Sequence, residues 1–342
     1  MEIKAAIRQV TDGRHLTAGE MTEVMRDIMT GNTTDAQNAA FLVGLQMKGV
    51  QVEELLGGAI VMRELVTPVT LQQREHLVDT CGTGGSGSNK FNVSTAAALV
   101  AACAGARVAK HGNRGATSRS GSADVLEAAG VNLVLTPEQV GQTIDKVGVG
   151  FMFAPAHHSA MKHVINARKE IGVRTIFNLL GPLTNPAGAP NQVMGVFHRS
   201  WITPLLEVLH ELGSEHVLVV SSEDGLDEIS NSAATHIGEL KNGEISTYQV
   251  SPGDFGLHQY ADFSALQIDS VAASLAMLKQ ALGGTQQPAA EIVALNAGAA
   301  MYAAGVSDSL VAGVKTAQDL IAGGRALAKL DELVTFTRSF DS

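Results

Sequence analysis

Four glycines fall within six residues at Gly82, Gly84, Gly85 and Gly87, and this run most limits how the chain can fold. Residues 76–81, just before it, alternate apolar and polar side chains and read as a strand. Residues 96–104, just after, are alanine-rich and read as a helix closed by Gly105. A strand, a glycine turn and a helix in direct succession bring the helix N-terminus over the carboxyl end of the strand. Glycines let the backbone approach an anion closely, and the helix start offers unpaired N–H groups and the positive end of its dipole. Asn92, Ser94 and Thr95 add side-chain donors and N-cap chemistry. The segment therefore points to a phosphate-bearing ligand. A purely structural turn would use similar residues, and that reading stays open on the loop alone.

Two common phosphate motifs match this loop superficially and fail. Gly82-x-Gly84-x-x-Gly87 fits the dinucleotide fingerprint, which needs an acid about 20 residues on, at the end of the next strand. That strand, residues 106–111, ends instead in Lys110, His111 and then Arg114. A P-loop would need Lys-Ser or Lys-Thr after Gly87, where Ser88-Asn89 stands. The segment from Lys110 to Asp124 carries three cations among glycines and small hydroxyls. In an open α/β sheet it would share the carboxyl edge with the glycine loop. It reads as a polyanion cradle, against the alternative of a solvated basic face. A third segment, Glu223-Asp224-Gly225-Leu226-Asp227-Glu228, follows a strand-like run at 215–221. Acids at a strand end near a phosphate site suit Mg²⁺, which takes one or two carboxylates plus substrate phosphates. The alternative is an acidic surface turn.

The rest of the chain gives the frame. Residues 1 to about 70 read as helices only, with a capping box at Thr17 and Glu20 and a methionine stripe suited to core or dimer contact. Strands at 76–81, 106–111, 131–135, 149–153, 192–197 and 215–221 alternate with helices, including segments at 158–170 and 173–180. This implies a mainly parallel sheet. Residues 236–250, centred on Asn242-Gly243, read as a hairpin, and the chain is helical from about 269. The net charge of −10 weighs against general nucleic-acid binding. Cys81 and Cys103 read as buried thiols suited to a reducing cytoplasm. The start of the chain has no apolar signal region, and no apolar run is long enough to span a bilayer.

The glycine loop with Asn92-Val93-Ser94-Thr95, the segment Lys110-His111-Gly112-Asn113-Arg114 and the segment from Asp224 to Glu228 together resemble the anthranilate phosphoribosyltransferases. Further matches run from His157 to Lys162, from Ala167 to Glu170 and from Asn178 to Pro186, so the resemblance spans essentially the whole chain. It implies an α/β fold of the nucleoside phosphorylase and phosphoribosyltransferase kind. A mainly parallel sheet flanked by helices would form a large domain at 71–342. A smaller all-helical domain at 1–70 would be joined by midchain helices at about 158–185, with the substrates meeting in the cleft between. Members are usually homodimers through the helical domain. The implied reaction joins anthranilate to 5-phosphoribosyl 1-pyrophosphate (PRPP) in tryptophan biosynthesis, in the cytoplasm, without membrane or nucleic acid and without a protein nucleophile or acid–base residue. PRPP would be held by Gly82, Gly85, Ser86, Lys90, Asn92, Val93, Ser94, Thr95, Lys110 and Ser122. Anthranilate would meet Gly82, Asn113, Arg168, His111 and His157. Two Mg²⁺ ions per subunit would involve Ser94, Asp227 and Glu228. From the residues alone, Arg168 could equally form a surface ion pair with Glu170 or Asp145.

The chain departs from the family pattern at two places. Ser86 stands where an aspartate usually follows the glycines, and Lys90 where threonine is common. One negative charge is lost and one positive charge gained, so Lys90 is expected to pair with phosphate directly, with metal still required at Asp227 and Glu228; the alternative is that Lys90 points to solvent and Ser86 merely fills the turn. A nucleoside phosphorylase or a nucleic-acid-binding paralogue of the same fold are the alternatives. The acidic pair at 227–228 and the net charge, respectively, oppose them.

Overall fold

The computed structural model describes residues 1–84, 87–115 and 118–341. Its centre is a seven-stranded sheet: β1 (Leu77–Gly82), β2 (Arg107–Gly112), β3 (Val149–Phe153), β4 (Asn191–Gly195), β5 (His216–Ser222), β6 (Thr235–Lys241) and β7 (Glu244–Val250). The order across the sheet is β3-β2-β1-β4-β5-β6-β7. The first five strands run parallel, and β6 and β7 are antiparallel. Asn242 and Gly243 turn this last hairpin with φ of 52° and 79°, the left-handed pair that matches strand twist.

All seven residues of β5 are buried, as expected of a central strand covered on both faces. Successive side chains point to opposite faces, so Leu218 and Val220 enter one core while Val217 and Val219 enter the other. The first core lies under α5 (Val93–Cys103) and takes in the helices that end the chain. Alanines fill α5 because it is buried almost all round, and small side chains let neighbouring helices close on it.

The second core belongs to the N-terminal helices α1 (Ile3–Thr11), α2 (Ala18–Met29), α3 (Asp35–Lys48) and α4 (Val52–Glu64). The Thr17–Glu20 capping box forms as expected at the start of α2. Met21, Met25 and Met29 are buried within the chain, so the methionine stripe is core. This core runs on without a break through Phe177, Leu179 and Leu180 to Leu205, Leu209, Val217 and Val219. A third cluster lies under α7 (Pro137–Val147), which follows α6 (Ser122–Ala129).

Three sequence expectations need correction. Residues 131–135 form no strand. The Asn132 N–H donates to Thr337 Oγ1, its side chain accepts from the Val134 N–H at 2.8 Å, and Val134 is 91% exposed. A local side-chain turn has taken the place of strand pairing. The midchain helices are shorter than expected: α8 (Ala154–His157), a 3₁₀ turn at Ser159–His163, α9 (Ile165–Ile171) and α10 (Phe177–Leu180). Gly172, at φ 67°, stops α9. Cys81 is buried, but Cys103 is only partly covered.

Candidate active site

In a doubly wound sheet the strand order reverses at one point, and a crevice opens there beyond the strand ends. Here the reversal falls between β1 and β4, whose last residues, Gly82 and Gly195, pair in register. The loop after β5 passes directly over them. A Cβ on Gly195 would lie 1.8 Å from the Asp227 carbonyl oxygen, and one on Gly82 would lie 3.1 Å from the Gly195 carbonyl and 3.3 Å from Asp227 Oδ2. Two glycines therefore admit the acidic loop to the crevice. Asp224 holds that loop's shape by accepting from Ser230 Oγ and Ser232 Oγ, both at 2.6 Å, and from the Leu226 N–H. Asp227 and Glu228 are left facing the crevice.

One cavity there, of about 560 Å³, lies between the glycine loop, the basic loop and the acidic pair. Its floor is the start of α5, which begins at Val93, earlier than the sequence implied. The first-turn amides of a helix have no partner inside it. Val93, Ser94, Asn92 and Ser122 line this cavity, whereas Thr95 is turned inward with its hydroxyl buried. Lys110 comes up from β2 beneath the helix start and donates to the Thr80 carbonyl and to Ser94 Oγ. Burial lowers its pKa and the neighbouring Asp79 opposes that shift. Asn92 ties three segments together: its Nδ2 donates to the Ser120 carbonyl, and its Oδ1 accepts from Ser120 Oγ at 2.8 Å and Ser274 Oγ at 2.7 Å.

The basic loop is less cationic toward the cavity than its sequence suggests. Asp124 Oδ2 accepts from the N–H groups of Gly115 and Gly121 and folds the loop on itself. Arg114 is held by Asp124 and, with two bonds, by Glu127. What faces the cavity from this loop is mostly amide and hydroxyl, with the paired Arg114 on the wall and Lys110 as the buried cation. Gly85 and Ser86 lie outside the described residues.

A second cavity, of about 540 Å³, adjoins the first. Cys81, Gly82, Thr83, Gly112, Asn113, Arg114 and Asn178 line both, so the two share one wall. The far side is apolar, with Met62, Met161, Ile165, Phe177 and Pro182. Arg168 stands among them, its guanidinium 5.1 Å from the Phe177 ring centre. Burial lowers its pKa. Among the described residues it has no ion pair, and Asp145 instead accepts from the Gln72 and Gln73 N–H groups.

The histidines are arranged differently from expectation. His111 lines the second cavity, but His157 does not: its Nδ1 donates to the Thr67 carbonyl at 3.0 Å. The short α8 turns His157 away and leaves His158 on the cavity wall, its ring 5.0 Å from that of His111. Burial, then His158, His157 and Lys110, push His111 down to about 3. Burial, then His157, pushes His158 down to about 4. Both rings are thus neutral near pH 7. The unfolded chain takes these protons near pH 6.5 and the folded chain only near 3 and 4. Their contribution to stability is whole above pH 6.5 and is lost as pH falls toward those values. We expect the urea midpoint to drop on acidification from pH 6.5 to 4, and to drop less in His158→Gln. An equal slope in that variant would show that His158 takes up its proton without opposing the fold.

Lys90 is the least expected feature. It lines the first cavity, yet its ammonium is 2.5 Å from Asp227 Oδ1 and 3.7 Å from Glu228 Oε1. In this structure its ammonium pairs with carboxylates of the same chain, at the cavity where it was expected to meet phosphate. Burial opposes the ammonium's charge, but Asp227 and Glu228 together raise its pKa. Burial lifts Glu228 to about 7, against the pull of Lys90.

The sequence pattern of the glycosyl transferase family, a/b domain, matches residues 74–327, and that of the family's helical bundle domain matches residues 4–66. A protein of Marinomonas sp. (strain MWYL1) called anthranilate phosphoribosyltransferase is 57% identical, over 100% of this chain and 99% of its own. Its namesake in Thioalkalivibrio sulfidiphilus is 57% identical over 99% and 100%. The chain belongs to the anthranilate phosphoribosyltransferases. The crystal structure of the family member from Thermus thermophilus superimposes with a TM-score of 0.91 at 43% identity, covering 97% of this chain and 99% of that one. A Saccharomyces cerevisiae member, solved in complex with PRPP and Mg, shares the fold at 24% identity with a TM-score of 0.88, covering 98% of each chain.

Sequence reasoning did not single out His158 and Asn178, which line the second cavity, or Asp79, which holds the His111 backbone beneath it. Asp79 is buried in β1, where burial raises its pKa, and it accepts from the His111 N–H and from Asn185 Nδ2 at 2.7 Å. A single acid in a strand flanked by Leu77 and Val78 was the available signal. His158 and Asn178 stood inside quoted motifs, but only the turn of the short helices decides which neighbour faces the cavity.

Proposed function

We infer that this chain is a pentosyltransferase that joins anthranilate to PRPP, giving N-(5-phosphoribosyl)anthranilate and pyrophosphate, a step of tryptophan biosynthesis. One observation carries the reading: two cavities of similar size meet at the switch point and share a wall, one lined by amides, hydroxyls, Lys110 and the Lys90–Asp227–Glu228 cluster, the other apolar on its far side, where Arg168 stands. The diphosphate belongs in the first. The glycine loop, the start of α5, Ser94 and Ser122 offer donors to its oxygens, and Lys110 supplies buried positive charge beneath them. Anthranilate belongs in the second. Its ring meets Met62, Ile165, Phe177 and Pro182, and its carboxylate meets the two-pronged guanidinium of Arg168. Asn113, on the shared wall, faces the position of the amine.

In the reaction the amine nitrogen bonds to the anomeric carbon as the bond from that carbon to the pyrophosphate oxygen breaks. The electron pair leaves with pyrophosphate, and the nitrogen gives up one proton to that pyrophosphate or to water. Negative charge grows on the leaving group, so catalysis consists of alignment and of donors fixed where that charge develops. No protein nucleophile enters. The imidazoles of His111 and His158 stay neutral, so they add no charge beside Arg168, which stands on the apolar side of the second cavity to meet the carboxylate.

Magnesium, which accompanies PRPP in the yeast protein, is taken here to arrive on the diphosphate, in keeping with its preference for substrate phosphates and retained water. Ser94 Oγ accepts one bond from Lys110 and keeps a lone pair for that assembly. Asp227 and Glu228 do not fit a further magnesium ion in this structure, because an ammonium already lies on the pair. No step is drawn through such an ion. Residues 1–70 with the midchain helices form, in this reading, one wall of the cleft, residues 71–342 form the other, and the protein works as a homodimer. No described helix is long and apolar enough to cross a membrane.

The test is optical. Anthranilate fluorescence should vanish on mixing with PRPP, Mg²⁺ and the protein, and persist when a pyrimidine nucleoside and phosphate replace PRPP. Persistence in both mixtures would overturn the reading.

A further inference from the structure

We propose that Lys90 is a resident cation for the Asp227–Glu228 pair, so that a chain-borne ammonium does there what a second magnesium ion would otherwise do. The proposal deepens the phosphoribosyl-transfer reading and rests on it for its purpose, though not for its geometry. The ammonium lies 2.5 Å from Asp227 Oδ1 and 3.7 Å from Glu228 Oε1, and the three side chains are only 9–11% exposed. Among the described residues, no group of three or more histidines, cysteines or acids is placed to hold a metal ion.

The lysine is also held in place from behind. The Phe91 N–H donates to the Leu266 carbonyl at 3.0 Å, and the Ile268 N–H donates to the Asn89 carbonyl at 2.8 Å. Gln267 Nε2 donates to the Ser88 carbonyl, and Lys90 itself bridges to Gln267. Residues 264–268 thus clamp the loop on both sides of Lys90. The clamp fixes the backbone of Lys90 beside the pair, and the ion pairs with Asp227 and Glu228 hold its ammonium there.

The chemistry supports substitution over coexistence. Magnesium needs near-octahedral oxygen ligands at close range and keeps several waters. An ammonium on the same carboxylate oxygen takes that ligand, and a divalent ion beside it would be repelled. Without any cation, two buried carboxylates would face the incoming diphosphate and repel it. With Lys90 the pair is offset, and it can still accept hydrogen bonds from water or from the ribose hydroxyls. The consequence is that metal is needed only in proportion to the diphosphate.

The probe is Mn²⁺, followed by its paramagnetic resonance signal on the full-length chain, with and without PRPP. The unsubstituted chain should bind no Mn²⁺ at the acidic pair: Asp227→Asn should leave its Mn²⁺ uptake unchanged in both conditions. Lys90→Thr should create a site, tightening Mn²⁺ binding by at least about tenfold, since it frees two adjacent carboxylates. That gain should vanish in Lys90→Thr/Asp227→Asn. Lys90→Arg, which keeps the charge, should behave like the parent and serves as a check that substitution alone does not open the loop. In turnover, Lys90→Thr should require more Mg²⁺ for half-maximal rate than the parent. Parent uptake of a PRPP-dependent ion that Asp227→Asn removes would overturn the proposal, as would a Lys90→Thr chain that folds normally and gains no site. Failure of the fluorescence assay in every protein would instead sink the reaction and leave the metal-binding result standing by itself.

Discussion

Gly195→Ala is expected to cost more than the same change at any other described glycine of this protein. The new Cβ would lie 1.8 Å from a backbone oxygen of Asp227, and no side chain can rotate to relieve it. Either β4 is pushed out of register with β1 or the acidic loop is lifted from the crevice. Overpacking of this kind costs about 1–3 kcal/mol, and sometimes more. A displacement of about 1 Å at a reacting centre can cost about a hundredfold in rate. We expect a lower urea midpoint together with a turnover loss of about that size. Gly82→Ala, whose Cβ contacts would be 3.1 and 3.3 Å, should be milder in both. Full turnover in Gly195→Ala would show that the close approach of the acidic loop is not needed for catalysis.

Arg168→Ala should separate the two substrates. The side chain stands in the apolar cavity with no ion pair among the described residues and with its charge already disfavoured by burial. A carboxylate is the natural partner for such a group, and a charge-assisted hydrogen bond contributes about 1.5–3 kcal/mol. The KM for anthranilate should therefore rise by roughly 10–100-fold, at about tenfold per 1.4 kcal/mol. The KM for PRPP, held in the other cavity, should move little. Steady-state titration of each substrate in turn decides it. Equal rises in both constants would reduce Arg168 to a packing role against Phe177.

The parts of the site that could be read from the sequence are those where chemistry dictates residue type over a short span. A phosphate cradle needs glycine where backbone must come close, and hydroxyls at a helix start, and both fall between Gly82 and Thr95. The sheet was legible for a similar reason, since strands buried on both faces leave continuous apolar runs such as residues 217–220. Residues 131–135 have the same look, and only the capture of Val134 by the Asn132 side chain makes them a turn. What could not be read are contacts set by the fold at long range. Lys90 and Asp227 are 137 positions apart, and neither local pattern indicates the other. The choice of His158 over His157 depends on about a hundred degrees of helix rotation, finer than any apolar periodicity resolves over a four-residue helix.

The second core described above is shared property. Met21, Met25, Leu42 and Leu55 of the first four helices belong to the same packed body as Leu205, Leu209, Val217 and Val219. For anyone recombining relatives of this protein, the N-terminal helices are therefore not a detachable cassette. A helical segment taken from another member would need its facing residues on α10, on α11 (Ile202–Glu211) and on β5 to travel with it. A graft cut at residue 66 should fold less stably than one that also carries those distant positions.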